Sequence, residues 1–516
     1  MNCAPTEEAV KTAARELAPT GADTTSAAAS GIGEGPSSPP RPWRAIAAAT
    51  TALVLWLLVG VIGLGTVLQM RQRAKLLDFS HYYTGALALR RGLNAYRTDL
   101  RPLASPLGLD VDVIWHVGYP PTFILLFEPL TLLTPEKAYW TWSAINLGLL
   151  FWSLGLLLGG QKTLGGPWDP AFWALALLYL PVSLNFSNAQ TQVMLLFLLA
   201  AAMRLAEREP LGTPASASGW LSRQTGRDVA AGCLLGVAGL LKVFPLVAIG
   251  AFVLGRRWRV VASALGAIFV GLCLTAALVG VRESLDFLRV IPSLADKQWL
   301  GQPTNVSING FVTRLLLSRH LAASGLPVGG AGQRLIVLGA TALLVALTTV
   351  LTAHRGNRES LSPSFGLWVT TAVLISPTAW HHYEVLLLIP FSQALHEAIR
   401  RGSLSSAALA AAASYGLTEA TWLWFAFEGR HGSGWLAPVL NEGFFVSLVL
   451  GYAAAALLVL EAAPQVTVER GCHSERSLRS EESTCSDLPA AAAQAGGFNT
   501  PLEGKSLRVD PSLRSG

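Results

Sequence analysis

Long, almost uncharged apolar runs constrain this chain more than any other feature. The first run, residues 45–70, exceeds the roughly 20 residues that a helix needs to cross a bilayer. Only 14% of the 516 residues are charged, whereas a soluble protein has about 25%. A soluble globular protein is therefore excluded, because its surface would need far more charge. The further apolar segments are 138–160, 170–186, 190–206, 229–254, 259–280, 333–353, 364–379, 383–399, 404–427 and 438–461.

This pattern predicts an all-α polytopic membrane protein with about 10–12 transmembrane segments and large extracytoplasmic loops. Residues 1–43 are rich in Ala, Thr, Ser, Gly and Pro, and we expect a disordered cytoplasmic tail there. Residues 463–516 are polar again and are expected to form a second disordered cytoplasmic tail. The transmembrane domain is expected to cover residues 44–462. Its first run lacks a cleavage motif, which indicates an anchor and not a removed signal.

Charge and cysteine content exclude other classes. The net charge of +6 is small for this length and the arginines lie in short clusters, so no nucleic-acid partner is expected. The adjacent His381 and His382 have no third ligand at metal-binding spacing. We therefore expect no metal and no cofactor. The cysteines show neither metal spacing nor a disulfide framework; they are Cys3, Cys233, Cys273, Cys472 and Cys485.

Arginine clusters set the expected orientation in a cell membrane. They lie around 204–227, 255–259, 354–358 and 400–401, and the positive-inside rule places all four in the cytoplasm. Basic residues at 71–75 favour the opposite orientation locally but are outnumbered. Both termini are then cytoplasmic. The loops 71–137 and 281–332 are extracytoplasmic.

The clusters on either side of segment 229–254 predict a hairpin. Both ends of one apolar run can be cytoplasmic only if the run turns back as two half-helices. Proline cannot continue a helix, so the break is predicted at Lys242-Val-Phe-Pro245. Lys242 is the one lysine inside an apolar run, and an ammonium in the membrane costs at least about 2.5 kcal/mol without a partner. It is therefore a candidate for binding an anion.

Polar residues from five parts of the chain fall on the extracytoplasmic side, which predicts one composite site. Simpler interpretations exist for some of them: Tyr119 followed by two prolines suits an interfacial anchor, and the Asn and Gln side chains around 185–190 suit helix caps. The five segments are 78–83, 118–121, 185–190, 305–310 and 376–384.

Five segments, in their order along the chain, resemble glycosyltransferase family 87; four of them overlap the polar segments above. The resemblance covers roughly residues 45–461. The segments that carry it are Asp78–Tyr83 with Gly92-Leu-Asn-Ala-Tyr96, Tyr119-Pro-Pro121 with Glu128-Pro-Leu, Asn188-Ala-Gln190, Gly232 to Pro245 with Gly255-Arg-Arg-Trp258, and Ser376-Pro with Trp380-His-His. Two details depart from the family: Asn188-Ala-Gln replaces the usual Gly-Gln, and Pro245 stands alone where two prolines are common.

The resemblance implies a GT-C fold and a mannosyltransferase that uses a polyprenyl-phosphate sugar. The transfer would occur at the extracytoplasmic face, within the lipid bilayer, onto a glycolipid or glycan acceptor. An acid of the first loop would act as the base and the reaction would invert the anomeric centre. This role maps onto Asp78, with Asp99, Asp110, Asp112 and Glu128 as competitors on the same loop.

The chemistry of this reaction predicts roles for the remaining polar residues. A phosphate leaving group needs cationic stabilisation, for which Lys242, His381 and His382 are candidates, with Arg314 as a further one. Aromatic rings stack on sugars and amides bind hydroxyls. The candidate substrate-binding residues are Tyr82, Tyr83, Tyr119, Asn188, Gln190, Asn309 and Trp380.

Two other functional classes fit part of the pattern. A transporter or lipid-sugar flippase would also use a broken hairpin and a buried lysine, although no internal repeat is visible. A ligase or polymerase using a lipid-pyrophosphate sugar would need outer-loop arginines, for which Arg430 is the late candidate. A non-catalytic scaffold would have no use for Lys242.

Overall fold

A computed structural model describes residues 46, 49–58, 60–61, 77–109, 117–159, 168–207, 217–294, 300–317, 330–355, 361–428 and 441–461. The two tails predicted at 1–43 and 463–516 lie outside these residues, as do Asp110, Asp112 and Arg430. Within them the chain is helical, and its one β-type pairing is an isolated antiparallel bridge between Asn305 and Trp380.

Eighteen α-helices and four short 3-10 helices make up the described part of the chain. The α-helices are α1 (Ala49–Leu58), α2 (Leu77–Arg90), α3 (Arg101–Ala104), α4 (Pro121–Phe127), α5 (Pro135–Gly159), α6 (Trp168–Leu178), α7 (Leu180–Ser187), α8 (Gln192–Ala206), α9 (Ala217–Leu241), α10 (Ile249–Leu254), α11 (Trp258–Val279), α12 (Val281–Leu294), α13 (Ile308–Leu317), α14 (Ala331–Arg355), α15 (Ser362–Ile375), α16 (Leu388–Arg401), α17 (Ser406–Glu428) and α18 (Gly443–Glu461). The 3-10 helices are Ser105–Leu107, Glu128–Leu132, Phe244–Ala248 and His381–Leu387.

Four of the described helices are long and apolar enough to cross a membrane: α5, α11, α14 and α18. Helices α6 and α7 satisfy the same test together, but they are bent by 55° at Tyr179. Proline at the second position of α7 explains the bend, because it is accepted in the first turn of a helix but cannot follow the last turn of α6. The chain is thus an all-α polytopic membrane protein. The expected total of about 10–12 spans remains a prediction.

Helices α9 and α11 pack side by side and run in the same direction. Gly232 lies against Val260, and Gly236, one turn further along, lies against Ala264. A side chain at either glycine would overlap the backbone of α11, so the small residues permit this close approach. Two neighbouring helices can be parallel only if the segment between them returns to the starting side.

The returning segment is the predicted hairpin. Helix α9 ends immediately before Lys242, and the chain then turns back through the 3-10 helix that contains Pro245 and through α10. The two ends of the run meet again where Arg257 forms a 2.6 Å ion pair with Asp228. Since Asp228 and Lys242 are 14 residues apart on a rise of 1.5 Å per residue, the tip lies about 20 Å from this pair. The prediction of a hairpin broken at 242–245 is confirmed.

The end of the bundle at which the hairpin opens is dense in arginine. Arg204 donates to the carbonyl groups of Leu156 and Leu157, near the end of α5, at 2.7 and 3.1 Å. Arg257 donates to the carbonyl of Ala206 at 2.7 Å. Cations are favoured at helix C-termini, where carbonyl groups lack partners. We refer to Arg204, Glu207, Arg227, Asp228, Arg257 and Ser362 as the arginine end.

Candidate active site

The centre of the candidate site is the carboxylate of Asp78 in the first turn of α2. Its Oδ1 accepts a hydrogen bond of 3.0 Å from the hydroxyl of Tyr119. Its Oδ2 accepts a short hydrogen bond from the side-chain amide of Gln190. The three residues come from separate parts of the chain, and their contact shows that three of the polar segments converge.

Tyr82 lies one helical turn after Asp78 and supports the same arrangement. Its hydroxyl donates to Oε1 of Gln190 at 3.2 Å, which leaves the NH₂ group of that amide directed at Asp78. Its ring meets the ring of Tyr119 edge to face, with centroids 4.6 Å apart. In the structure the Gln190 amide bonds to Asp78 and the Tyr82 hydroxyl bonds to that amide, while the predicted contacts of both residues with substrate remain predictions.

Lys242 reaches the same site from the tip of the hairpin. Its Nζ donates to the hydroxyl of Tyr383 at 3.0 Å and lies 4.4 Å from the centre of that ring. The ring of Tyr119 is 5.8 Å away. The tip itself is joined to α4, because Thr122 donates to the carbonyl of Leu240 at 2.5 Å. Lys242 is therefore buried among aromatic groups on the Asp78 side of the bundle.

Tyr383 is a site residue that the sequence analysis did not select. It belongs to the polar segment 376–384, but its type and position gave no indication that its hydroxyl would meet Lys242. Its ring also stacks on Phe244 of the hairpin, with centroids 5.2 Å apart. Tyr383 lies in the 3-10 helix that begins at His381, and its ring is on the side of that helix next to the hairpin.

The surroundings of Asp78 act on its pKa in opposite directions. Burial raises the pKa of the carboxyl, while the hydrogen bond from Tyr119, the charges of His81 and Lys242 and the amide of Gln190 lower it; the net result is a raised pKa. A carboxylate with a raised pKa accepts a proton more readily than an exposed aspartate. This is the property that a general base needs.

His381 and His382 lie beside this centre but carry no charge in this arrangement. Burial lowers the pKa of His381 to about 4 and that of His382 well below its usual range. Lys242 and His81 both act to lower the pKa of Asp78. The lowered pKa values favour the uncharged form of both imidazoles, and the expected contact of the two histidines with the phosphate remains a prediction.

The segments that carry Gln190 and Tyr383 also hold buried polar atoms without hydrogen-bond partners among the described residues. Two hydrogen bonds connect the segments that carry these atoms. The Asn185 amide donates to the carbonyl of His382 at 2.8 Å, and the backbone N–H of Gln190 donates to the carbonyl of Asn185 at 2.7 Å. We call this group of buried atoms the unpaired polar cluster; its atoms are Asn185 Oδ1, Thr191 Oγ1, Gln192 Oε1 and Nε2, His381 Nδ1, and His382 Nδ1 and Nε2.

Gln192 and Thr191 were not predicted. Gln192 is fully buried at the first residue of α8, and Thr191 is its N-cap. The available signal was their place directly after Asn188-Ala-Gln190, which lengthens that polar segment by two residues. Two buried amide atoms and a buried hydroxyl without partners are costly, because each unpaired polar group loses about 1–3 kcal/mol on leaving water.

The side chains of Tyr83 and Asn309 bond away from Asp78, and their expected contacts with substrate remain predictions. The hydroxyl of Tyr83 donates to the carbonyl of Leu133 at 2.7 Å. One residue along a helix is about 100° around its axis, so Tyr83 cannot share the face of Tyr82 and Asp78. Asn309 donates to the carbonyl of Pro377 at 3.1 Å, and its own oxygen accepts from another side chain.

Trp380 and Asn188 border the site less closely. Trp380 is half-buried in the bridge with Asn305 and immediately precedes the two histidines. Asn188 is half-buried at the end of α7, two residues before Gln190. Their expected contacts with substrate remain predictions.

Arg314 has a structural role. Its guanidinium forms a two-pronged ion pair with Glu442, the shortest contact being 2.7 Å, and donates to the carbonyl groups of Gln302 and Asn305 at 2.7 and 2.8 Å. These contacts tie the segment before α13 to the residues before α18. The suggestion that Arg314 binds phosphate is therefore wrong for this arrangement.

Among the described competitors for the catalytic base, neither matches the position of Asp78. Asp99 pairs with Arg101 on the exposed surface at 2.7 Å, and this pairing lowers its pKa. Glu128 is half-buried at the start of a 3-10 helix. Asp78 is half-buried as well, but it alone of these three acids combines two side-chain donors with a nearby lysine.

Comparisons with known proteins identify the family of the chain. The sequence matches Glycosyltransferase family 87 over residues 115–377, about half of the chain. The matched range contains Tyr119, Gln190 and Lys242 and ends just before the two histidines.

A relative in Mycolicibacterium smegmatis (strain ATCC 700084 / mc(2)155) is named polyprenol-phosphate-mannose-dependent alpha-(1-2)-phosphatidylinositol pentamannoside mannosyltransferase. It is 26% identical over 285 residues, which cover 54% of this chain and 60% of the relative. The alignment thus spans less than two thirds of the relative's length. The family match covers half of the chain, and Asp78 lies before the matched range. This chain belongs to glycosyltransferase family 87.

Proposed function

We propose that the protein is a membrane glycosyltransferase that moves a hexose, mannose, from a polyprenyl-phosphate donor to a hydroxyl group of a glycolipid or glycan. The observation that carries this proposal is the joint placement of Asp78 and Lys242. A carboxylate held by two donors and a buried ammonium lie on the same side of the bundle, around the ring of Tyr119.

In this proposal Asp78 is the general base. The acceptor hydroxyl gives its proton to the Asp78 carboxylate while its oxygen forms a bond to the anomeric carbon of the donor sugar. The bond between that carbon and the phosphate oxygen breaks, and polyprenyl phosphate leaves with the electron pair. One displacement of this kind inverts the anomeric centre, and its transition state resembles an oxocarbenium ion.

Lys242 is the proposed partner of the phosphate. The leaving group already carries negative charge, so it needs a cation more than a proton donor. An ammonium held away from water stabilises such charge far better than it would in solution. Tyr383 orients the ammonium through its hydroxyl, and the neutral histidines supply hydrogen bonds in place of the charge expected of them.

The unpaired polar cluster is the proposed binding site for the sugar. A hexose presents several hydroxyl groups, each of which both donates and accepts. Gln192 and Asn185 offer amide groups, and His382 offers two ring nitrogens. Pairing with sugar hydroxyls would offset the cost of burying these atoms. We propose stacking of the sugar on Tyr119 or Trp380 and a polar contact with Asn188.

The proposal includes the orientation of the protein in the membrane. The donor's lipid tail remains in the bilayer, and the transfer takes place at the extracytoplasmic face, with both termini in the cytoplasm. The arginine end would then be cytoplasmic, as the positive-inside rule predicts.

The test is sugar transfer by the purified protein. Wild type and the variants Asp78→Asn and Asp99→Asn are incubated with radiolabelled polyprenyl-phosphate mannose and a lipid extract of the host. We expect wild type and Asp99→Asn to form labelled products at similar rates. Asp78→Asn should be about 10²–10⁴-fold slower, since a general base contributes that much.

Unfolding temperatures in detergent serve as the control for folding. Equal transfer by Asp78→Asn would keep the enzyme class but move the base to another acid of the first loop. No transfer by any variant, with intact donor and several acceptor pools, would overturn the proposal. Translocation of the lipid-linked sugar in proteoliposomes would then support the flippase alternative.

A further inference from the structure

Helix α12 presents an apolar stripe that no described part of the chain covers. Val281, Leu285 and Leu288 are 61%, 52% and 57% exposed. They are spaced by four and three residues, so they lie on one side of the helix. Arg282 and Arg289 are exposed along the edge of this stripe.

The stripe continues the lipid-facing surface of a membrane span. Helix α12 starts directly after α11, from which it is separated by Gly280 alone. Gly280 has a φ of +106°, a conformation that lets the chain change direction sharply. Phe269 and Leu278 on α11 are 69% and 61% exposed, as expected of side chains in contact with lipid. The apolar surface therefore passes without interruption from the span onto α12.

The opposite side of α12 is joined to the loop at 92–97. Asp286 is buried and accepts hydrogen bonds from Arg97 at 2.6 Å and from Asn94 at 2.9 Å. The next residue, Phe287, packs on the ring of Tyr96 with centroids 5.7 Å apart. These contacts explain the Gly92-Leu-Asn-Ala-Tyr96 motif, which the proposed reaction leaves without a role.

Tyr96 extends this connection to the candidate active site. Its hydroxyl donates to the backbone carbonyl of Tyr119 at 2.8 Å. The hydroxyl of Tyr119 in turn donates to Asp78 at 3.0 Å. A continuous line of contacts thus runs from Asp286 on α12 to the Asp78 carboxylate.

We propose that α12 lies in the membrane interface, with Val281, Leu285 and Leu288 in the acyl chains of the leaflet where α11 ends. In this proposal the buried side of α12 holds Tyr119 in position through Asn94, Tyr96 and Arg97. The partner of the stripe is the lipid leaflet. An amphipathic helix with arginines beside its apolar face has the composition that suits this location. Tyr96 is then a positioning residue.

Site-directed spin labelling in lipid nanodiscs tests the lipid contact without reference to activity. Single cysteines replace Leu285 and Leu288 in a full-length background without native cysteines. Phe269→Cys provides the reference for lipid, and Arg101→Cys, on an exposed side chain, provides the reference for water. We expect labels at 285 and 288 to collide with oxygen in preference to a water-soluble nickel complex, as the label at 269 does.

Three results would overturn the lipid contact. Labels at 285 and 288 would behave like the label at 101 if the helix stood in water. They would be shielded from both reagents if another protein segment covered the stripe. Their accessibility would change on addition of polyprenyl phosphate if the donor's chain, and not the leaflet, occupied it.

The positioning role is tested by the variant Tyr96→Phe, and this arm rests on the proposed function. The variant keeps the ring on Phe287 but loses the bond to Tyr119. Asp78 also faces His81, Lys242, Tyr82 and Gln190, which the variant leaves in place. We expect the acid limb of kcat/KM to move upwards by about half a pH unit, because the donor to Asp78 is weakened.

Tyr119→Phe should move the same limb further, and the double variant should equal Tyr119→Phe. A Tyr96→Phe enzyme with an unchanged pH profile would overturn the positioning role. If no variant transfers sugar, the proposed function fails, while the spin-label result still decides the lipid contact.

Discussion

The two ends of helix α8 differ in what their polar groups bind: the charged groups at the C-terminal end are ion-paired, although the nearby Gln393 keeps one amide oxygen without a partner among the described residues, whereas the N-terminal end carries a wholly unpaired amide. At its C-terminal end, Arg204 bonds to Glu207 and to two carbonyl groups, and Arg257 bonds to Asp228 and to another carbonyl. At its N-terminal end, Gln192 is fully buried and neither of its amide atoms has a partner among the described residues. The ends of this 15-residue helix are about 22 Å apart.

The difference separates a structural network from a binding site. A charge that is ion-paired and bonded to helix carbonyl groups, as Arg204 and Arg257 are, holds helices together. Buried polar atoms without partners cost stability unless a ligand or water pairs with them. The arginine end therefore contributes to the fold, while the Asp78 side retains groups for chemistry. Replacing a cation by methionine should therefore lower stability at the arginine end and lower transfer activity at the Asp78 end.

The largest effect on stability is expected from Arg257→Met. The variant leaves Asp228 buried without its ion pair, and breaking such a pair costs about 3–5 kcal/mol. Unfolding in detergent measures the loss, and transfer per folded molecule should stay within about twofold of wild type. The double variant Asp228→Asn/Arg257→Met should recover part of the stability, since no unpaired charge remains. A stable Arg257→Met protein with impaired transfer would contradict the assignment of this end to structure.

The matched variant at the other end is Lys242→Met. It removes the proposed phosphate partner, so transfer should fall about 10²–10³-fold. Stability should not fall as it does for Arg257→Met, because a buried ammonium is replaced by an apolar side chain of similar length. Lys242→Arg, which keeps the charge, should transfer faster than Lys242→Met. Unaltered transfer by Lys242→Met would remove the lysine from the proposed mechanism.

The pH dependence of transfer probes Asp78 directly. Burial raises the pKa of Asp78. As the pH is lowered, the base becomes protonated and kcat/KM declines, and we expect this decline at a higher pH than the ordinary aspartate pKa of about 3.9. Tyr119→Phe removes a donor that favours the ionised form. The pKa therefore rises further, and the decline begins about one unit higher. Tyr83→Phe is the control, because its hydroxyl bonds to Leu133; an equal shift in this control would refute the interpretation.

The smallest effect is expected from Ser362→Ala at the arginine end. The Ser362 hydroxyl donates to Glu207 at 2.6 Å, and Glu207 keeps its ion pair with Arg204 at 2.8 Å when the serine is replaced. The loss of one hydrogen bond costs about 1 kcal/mol of unfolding free energy. Transfer per folded molecule should be unchanged. A marked loss of activity would show that this end is coupled to the site.

Charge and hydropathy along the chain were enough to predict the helical membrane fold, the hairpin at Lys242 and the gathering of Asp78, Tyr119 and Gln190. Each of these depends on properties that single residues carry with them. Arginine clusters mark the ends of spans, proline breaks a helix, and polar residues collect where water or substrate is present. The position of such residues in the sequence translates directly into depth in the membrane.

The partners of those residues could not be predicted, because they depend on side-chain direction and on contacts between distant segments. Tyr82 and Tyr83 are neighbours in the sequence, yet one supports Asp78 and the other bonds to Leu133. Arg314 has the charge of a phosphate ligand but is committed to Glu442. Tyr383 meets Lys242 across 141 positions of the chain. Helix rotation and packing decided these pairings, and no local pattern encodes either of them.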